Sequence, residues 1–66
     1  KNLVFLSDLT KLEFLSLKHN EIEDVSPLSV LHNLKYLYLD DNNIYDISSL
    51  KDLITTKITI TDNPVD

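Results

Sequence analysis

The chain contains no cysteine, no glycine and no arginine, and each absence removes a class of chemistry. Without cysteine there is no disulfide framework, no thiolate metal site and no cysteine nucleophile. Without glycine there is no P-loop, dinucleotide fingerprint or nucleophile elbow, since each needs glycine where backbone approaches a phosphate or turns sharply. Six lysines stand against 11 carboxylates, for a net charge of −5. Neutralising phosphate supplies most of the affinity for nucleic acid, so nucleic acid is a poor partner for such a chain. The longest apolar run, Leu3 to Leu6, is four residues, far short of a membrane-spanning helix, and no membrane insertion is expected. What is present is apolar at 42% of 66 positions, an ordinary globular fraction that argues against disorder. Nearly half of that apolar set is leucine, with no alanine, methionine or tryptophan.

The leucines repeat. Sliding the sequence by 22 residues aligns Leu6–Pro27 with Leu28–Ser49 at ten identities, including Leu15/Leu37, Leu17/Leu39, Asn20/Asn42, Ile22/Ile44, Asp24/Asp46 and Ser26/Ser48. A third copy begins with Leu50 and Leu53, then departs. Thr56 stands where Leu34 predicts an apolar residue, and Ile58, Ile60 and Asn63 match Leu37, Leu39 and Asn42 only if one residue is deleted. Residues 1–5 read as the tail of a preceding copy, with Leu3 at the Val25 position and Phe5 at the Pro27 position. The 66 residues therefore form one domain: the end of a repeat at 1–5, full repeats at 6–27 and 28–49, and a degenerate repeat of terminal character at 50–66.

Within each repeat the spacing assigns structure. Leu15-Ser16-Leu17, Leu37-Tyr38-Leu39 and Ile58-Thr59-Ile60 alternate with period two, as short strands burying one face. Identical registers in successive copies imply parallel strands stacked at about 4.8 Å. Leu6/Leu9/Leu12 and Leu28/Leu31/Leu34 recur every three residues, the period of a 3₁₀ turn or of one face of a short helix. Ser26-Pro27 ahead of Leu28 reads as an N-cap followed by proline at the first helical position, and Ser48-Ser49 repeats the signal more weakly. Strand, turn, short helical segment, turn: the expected architecture is an α/β solenoid.

The consensus carried by Leu15, Leu17, Asn20, Ile22, Asp24, Val25, Ser26 and Pro27, and again by Leu37, Leu39, Asn42, Ile44, Asp46, Ile47 and Ser48, resembles a leucine-rich repeat. Its 22-residue form, with the Asp-Val-Ser-Pro-Leu stretch, is similar to the internalin subclass of Gram-positive bacteria. It also shares its length with the regulatory subunits of type-1 protein phosphatases. The resemblance implies a right-handed horseshoe with strands on the concave side, 3₁₀ or short helical segments on the convex side, and recognition of protein on the concave face. It further implies a secreted or cell-surface location, the cytoplasm being the alternative. A helical N-terminal cap and often an immunoglobulin-like C-terminal domain accompany the family pattern, and these residues contain neither.

Several residues invite a chemical role. Asn20, Asn42 and Asn63 follow the strands, where an asparagine can satisfy backbone groups that a bend leaves unpaired. Their expected role is structural, and the resemblance implies an asparagine ladder. Asp24 and Asp46, with Asp40, Asp41 and Asp62, suggest a carboxylate cluster, but no D-x-D-x-D-G loop exists to shape a calcium site. Local capping of the following turn is the better account of the first two. His19 and His32 lie on different segments without a second ligand at metal spacing and are read as surface residues. Nothing places a nucleophile beside a base, so neither catalysis nor a cofactor is expected.

The outward strand positions are the informative ones. With Leu15 and Leu17 inward, Phe14, Ser16 and Lys18 point out, followed one coil on by Tyr36, Tyr38 and Asp40, and then by Lys57, Thr59 and Thr61. Solvent-facing strand positions are normally polar, yet Phe14, Tyr36 and Tyr38 are aromatic and contiguous. Aromatics bury large area with few rotors and are enriched at interface hot spots. The competing reading is a cross-strand aromatic pair that only stabilises the sheet, and Lys18 beside Asp40 is expected to pair across strands. Leu3, Val4, Phe5 and Leu6 have no helix to cover them, so further repeats or another chain are expected against the N-terminal end. Thr59, Thr61 and Pro64 blunt the other edge. The expected function is a non-catalytic module that binds another protein through its concave strand face. Its rivals are a passive spacer, a self-associating solenoid segment, and an intracellular leucine-rich regulatory subunit.

Overall fold

The computed structural model describes residues 3–65, so Lys1 and Asn2 of the opening repeat tail lie outside the described residues. Its regularity begins with the leucines of the back. In the first coil the N–H of Leu6 donates to the carbonyl of Leu3, Leu9 to Leu6 and Leu12 to Leu9, at 2.9, 3.0 and 3.1 Å. The second coil repeats this through Val25, Leu28, Leu31 and Leu34, and the third through Ile47, Leu50, Leu53 and Thr56. An i to i+3 hydrogen bond brings residues three apart onto one face, so a leucine at every third position gives the back an apolar inner face. The best-formed stretches are 3₁₀ segments at Val4–Leu6, Ser26–Val30 and Ser48–Leu50.

The structure corrects the capping assignment. The 3₁₀ segments start at Ser26 and Ser48 themselves, and the flanking Val25 and Ile47 make no side-chain cap. The cap comes from two residues before the serine: Asp24 Oδ1 accepts the N–H of Ser26 at 2.9 Å, and Asp46 Oδ1 that of Ser48 at 2.8 Å. A carboxylate accepts an amide proton better than a hydroxyl can, and starting the segment one residue earlier puts that proton within its reach. Pro27 then sits in the first turn, where its missing N–H leaves nothing unpaired.

Three parallel strands, β1 (Phe14–Ser16), β2 (Tyr36–Tyr38) and β3 (Lys57–Thr59), lie side by side in chain order. The register pairs Leu15 with Leu37 and Leu37 with Ile58, a spacing of 22 and then 21 residues. The missing residue is lost just before β3. In the second coil the amides of both Lys35 and Tyr36 reach the Glu13 carbonyl, whereas in the third only Lys57 reaches the corresponding Lys35 carbonyl. Thr56 uses its polarity there: its hydroxyl donates to the Leu34 carbonyl at 2.8 Å. The ladder also runs past the strands, through Leu17 to Tyr38 and His19 to Asp40.

The core is the middle of the stack. Ile22, Val25, Leu28, Leu31, Leu34, Leu37, Leu39 and Ile44 are the largest fully buried side chains, while Leu15, Leu17, Ile58 and Ile60 in the outer strands are half-buried. A solenoid residue is buried by its neighbours on both sides, and only the middle coil has both. The N-terminal end differs from the sequence expectation: Leu3 and Leu6 are buried, and only Val4 and Phe5 of that stretch are exposed. Leu3 and Leu6 occupy the Val25 and Leu28 positions of the 3₁₀ turn and share its inward face.

Between strand and back the chain turns without glycine. His19, Asp41 and Asp62, equivalent in the three coils, have φ of 61°, 60° and 60°, the left-handed region that histidine and aspartate tolerate better than most residues. The next residue is in each case the asparagine. Asn42 Nδ2 donates to Leu39 O at 2.8 Å in its own coil and to Leu17 O at 3.0 Å in the coil before, while its Oδ1 accepts the N–H of Ile22 at 3.1 Å. Asn63 repeats all three bonds with Ile60 O, Leu39 O and the N–H of Ile44. Among the described residues Asn20 bonds only within its own coil, to Leu17 O and Lys18 O. Asn42→Ala strands buried backbone groups of two coils at roughly 1–3 kcal/mol each, in a core expected to supply only about 3–5 kcal/mol. Urea unfolding followed by circular dichroism is expected to show Asn42→Ala losing most of the native signal before denaturant is added, and Asn20→Ala losing far less. Equal losses would remove the inter-coil role.

Candidate functional site

The pleat that sends Leu37 and Leu39 inward sends Phe14, Tyr36 and Tyr38 outward onto the strand face. Phe14 and Tyr36 are register partners across β1 and β2. Their rings stack with centroids 5.2 Å apart and planes 12° from parallel, and Tyr36 and Tyr38 follow at 6.2 Å and 15°. Phe14 is 59% exposed and Tyr36 38%. Tyr38 is half-buried, with the Lys18 ammonium 5.2 Å from its ring centroid. The three aromatic residues read from the sequence thus form one continuous stack, with Ser16 exposed beside it.

Four polar positions of the face, Lys18, Asp40, Thr59 and Thr61, are bound to one another. Asp40 Oδ2 accepts the Thr59 hydroxyl at 2.7 Å, and its Oδ1 accepts both the hydroxyl and the N–H of Thr61, at 2.7 and 2.9 Å. Lys18 Nζ lies 3.8 Å away, and only 14% of the Asp40 side chain is exposed. The hydroxyls of Thr61 and Thr59, aided by the Thr61 N–H and the Lys18 charge, outweigh burial and hold the Asp40 carboxyl below the usual carboxylate range. Asp40, Thr59 and Thr61 therefore form a fixed polar frame, and Lys57 stands exposed next to Tyr36 in the register.

Other candidates are placed elsewhere. His19 meets Asp41 at 2.8 Å on the turns beyond the strands, with both side chains mostly exposed. His32 is exposed on the back. Asp24 and Asp46 line the flank, their carboxyls lowered chiefly by the backbone N–H groups of Ser26 and Ser48. Together with Glu23, Tyr45 and the serines they border a shallow cleft of about 400 Å³ off the strand face. Among the described residues no three acidic, histidine or cysteine side chains are grouped to hold a metal ion. Sequence reasoning missed the exposure of Tyr45 (71%) and Ile54 (87%). Neither lies on a strand, so no alternation marks which way they point.

Residues 10–55 match the protein family described as Leucine Rich repeats (2 copies). Among solved structures, an internalin (inlF) from Listeria monocytogenes str. 4b F2365 superposes with a TM-score of 0.91 at 34% identity over 96% of this chain. The chain spans 19% of that protein's length. No curated protein matches.

Asp40 also sets a pH dependence. A carboxyl more acidic in the folded than in the unfolded chain stabilises the fold fully above the unfolded value of about 4, and the contribution is lost as pH falls through the lowered folded value. Urea midpoints taken from neutral to acid pH are expected to fall less steeply below about pH 4 for Asp40→Asn than for the wild type. Some dependence remains, because Asp24 and Asp46 are lowered in the same sense. Identical slopes would show that the Asp40 frame is not formed in solution.

Proposed function

The chain belongs to the leucine-rich-repeat family, and we propose that it is a non-catalytic module that docks another protein on its concave strand face. Leucine-rich-repeat domains generally bind proteins. The observation that supports this face is the stack of Phe14, Tyr36 and Tyr38, left open to solvent where strand positions are ordinarily polar. Rings held in place by their neighbours lose little freedom on docking, so the area they bury converts to affinity at low entropic cost. Phe14, Tyr36 and Tyr38 act as anchors. Ser16, Lys18, Asp40, Lys57, Thr59 and Thr61 set which partner fits, Asp40, Thr59 and Thr61 through their fixed arrangement. Asn42 and Asn63 keep the coils in register beneath them, and Asn20 holds the turn of its own coil. The likeness to an internalin supports a location outside a bacterial cell, secreted or on its surface.

The stack also contributes to the sheet, by about 0.5–1.5 kcal/mol for an aromatic pair, and pure stabilisation is the rival reading. Changing both Tyr36 and Tyr38 to Ser separates the two. Titration calorimetry against the partner protein is expected to show affinity falling tenfold or more, about 1.4 kcal/mol, with the circular dichroism spectrum unchanged. Unaltered affinity would assign the stack to the sheet alone and favour a spacer.

A further inference from the structure

The strand face differs in charge from the molecule that carries it. The chain as a whole is at −5, and six of its 11 carboxylates lie beyond the strands, at Glu21, Glu23, Asp24, Asp41, Asp46 and Asp62. Of the nine outward strand-face residues, three are charged: Lys18, Asp40 and Lys57. Asp40 is enclosed by Thr59, Thr61 and Lys18, so its charge is already matched within the face. Lys18 has Asp40 and the Tyr38 ring. Lys35, just ahead of the strand, has Glu13 at 3.3 Å. Lys57 has no carboxylate within ion-pair distance among the described residues. The register sets it beside Tyr36, which lies beside Phe14. One column across the three coils therefore reads aromatic, aromatic, uncompensated ammonium.

We propose that this column receives a protein segment presenting an apolar or aromatic side chain next to a carboxylate, the ring meeting Phe14 and Tyr36 and the carboxylate meeting Lys57. This rests on the strand-face reading above and specifies the partner's chemistry. Docking over the aromatics removes water from Lys57, and a charge desolvated without a counter-charge costs affinity. A basic partner would bring like charge onto Lys57, an unfavourable juxtaposition. The overall −5 opposes an acidic partner at long range, but at physiological ionic strength charges farther apart than about 8 Å are largely screened. The contact at Lys57 therefore decides.

The test uses the isotopically labelled 66-residue chain and three blocked hexapeptides in which phenylalanine alternates with glutamate, glutamine or lysine, titrated by nuclear magnetic resonance. The glutamate peptide is expected to bind at least threefold more tightly than the glutamine peptide and tenfold more tightly than the lysine peptide. Shifts should centre on Phe14, Tyr36 and Lys57. Lys57→Glu should invert the order and Lys57→Gln abolish it, both exposed changes that leave the core untouched. Equal affinities for the three peptides, an order unmoved by Lys57→Glu, or no binding of the glutamate peptide would overturn the proposal. A glutamine peptide that binds as well as the glutamate peptide, with shifts on Tyr36, overturns the charge assignment and leaves strand-face docking standing. Shifts confined to the back or the flank overturn both.

Discussion

The asparagine that follows each strand is the constraint on which the rest of the structure depends. A chain that leaves a three-residue strand and bends toward the back exposes carbonyls and amides that neither strand nor helix can pair. Asn42 and Asn63 satisfy them from inside the coil, and in doing so join each coil to the one before through Leu17 O, Leu39 O and the amides of Ile22 and Ile44. The bonds are directional and repeat in the same positions, so they fix how one coil lies on the next. Hydrophobic burial supplies most of the attraction but tolerates slippage. The amide bonds do not.

With the coils held in register, the leucines can close the interior. Leu28, Leu31, Leu34, Leu37 and Leu39 of the middle coil are all essentially inaccessible, covered from both sides by equivalent residues of its neighbours. The same register brings Phe14 against Tyr36 and Asp40 against Thr59 and Thr61, because an outward column is the back side of an inward one. Geometry on the strand face is thus inherited from packing beneath it. Under the proposed function, a partner would meet side chains that are already positioned.

Much of this was legible in the residues. Leu15-x-Leu17 and Leu37-x-Leu39 gave the strand face by alternation, and the one-residue deletion needed to align Ile58 with Leu37 is the pairing found. Where reading failed, the cause was local. Ser26 carries a hydroxyl suited to capping, but the segment begins at that residue and Asp24, two positions earlier, makes the bond. Leu3 and Leu6 looked exposed within a four-residue apolar run, yet threefold spacing turns those two inward and leaves Val4 and Phe5 outside. The left-handed turns at His19, Asp41 and Asp62 gave no signal, because glycine usually marks such turns and the chain has none. The site was legible as a set of columns, whereas the closed hydrogen bonding of Asp40 depends on side-chain geometry that spacing does not encode.

The proposed function rests on the same division of labour. Inward positions are committed to the stack and turn positions to its polar bonds, which leaves the outward strand positions free for the recognition proposed above. The division holds only if the asparagine bonds are intact and long-lived, and hydrogen exchange of backbone amides measures that directly. The amides of Ile22 and Ile44, which donate to Asn42 and Asn63, should exchange as slowly as the buried Leu39 amide of the sheet and share its dependence on denaturant. If Ile22 and Ile44 exchange at the rate of free turns while Leu39 stays protected, the asparagines do not hold the coils together and the account fails.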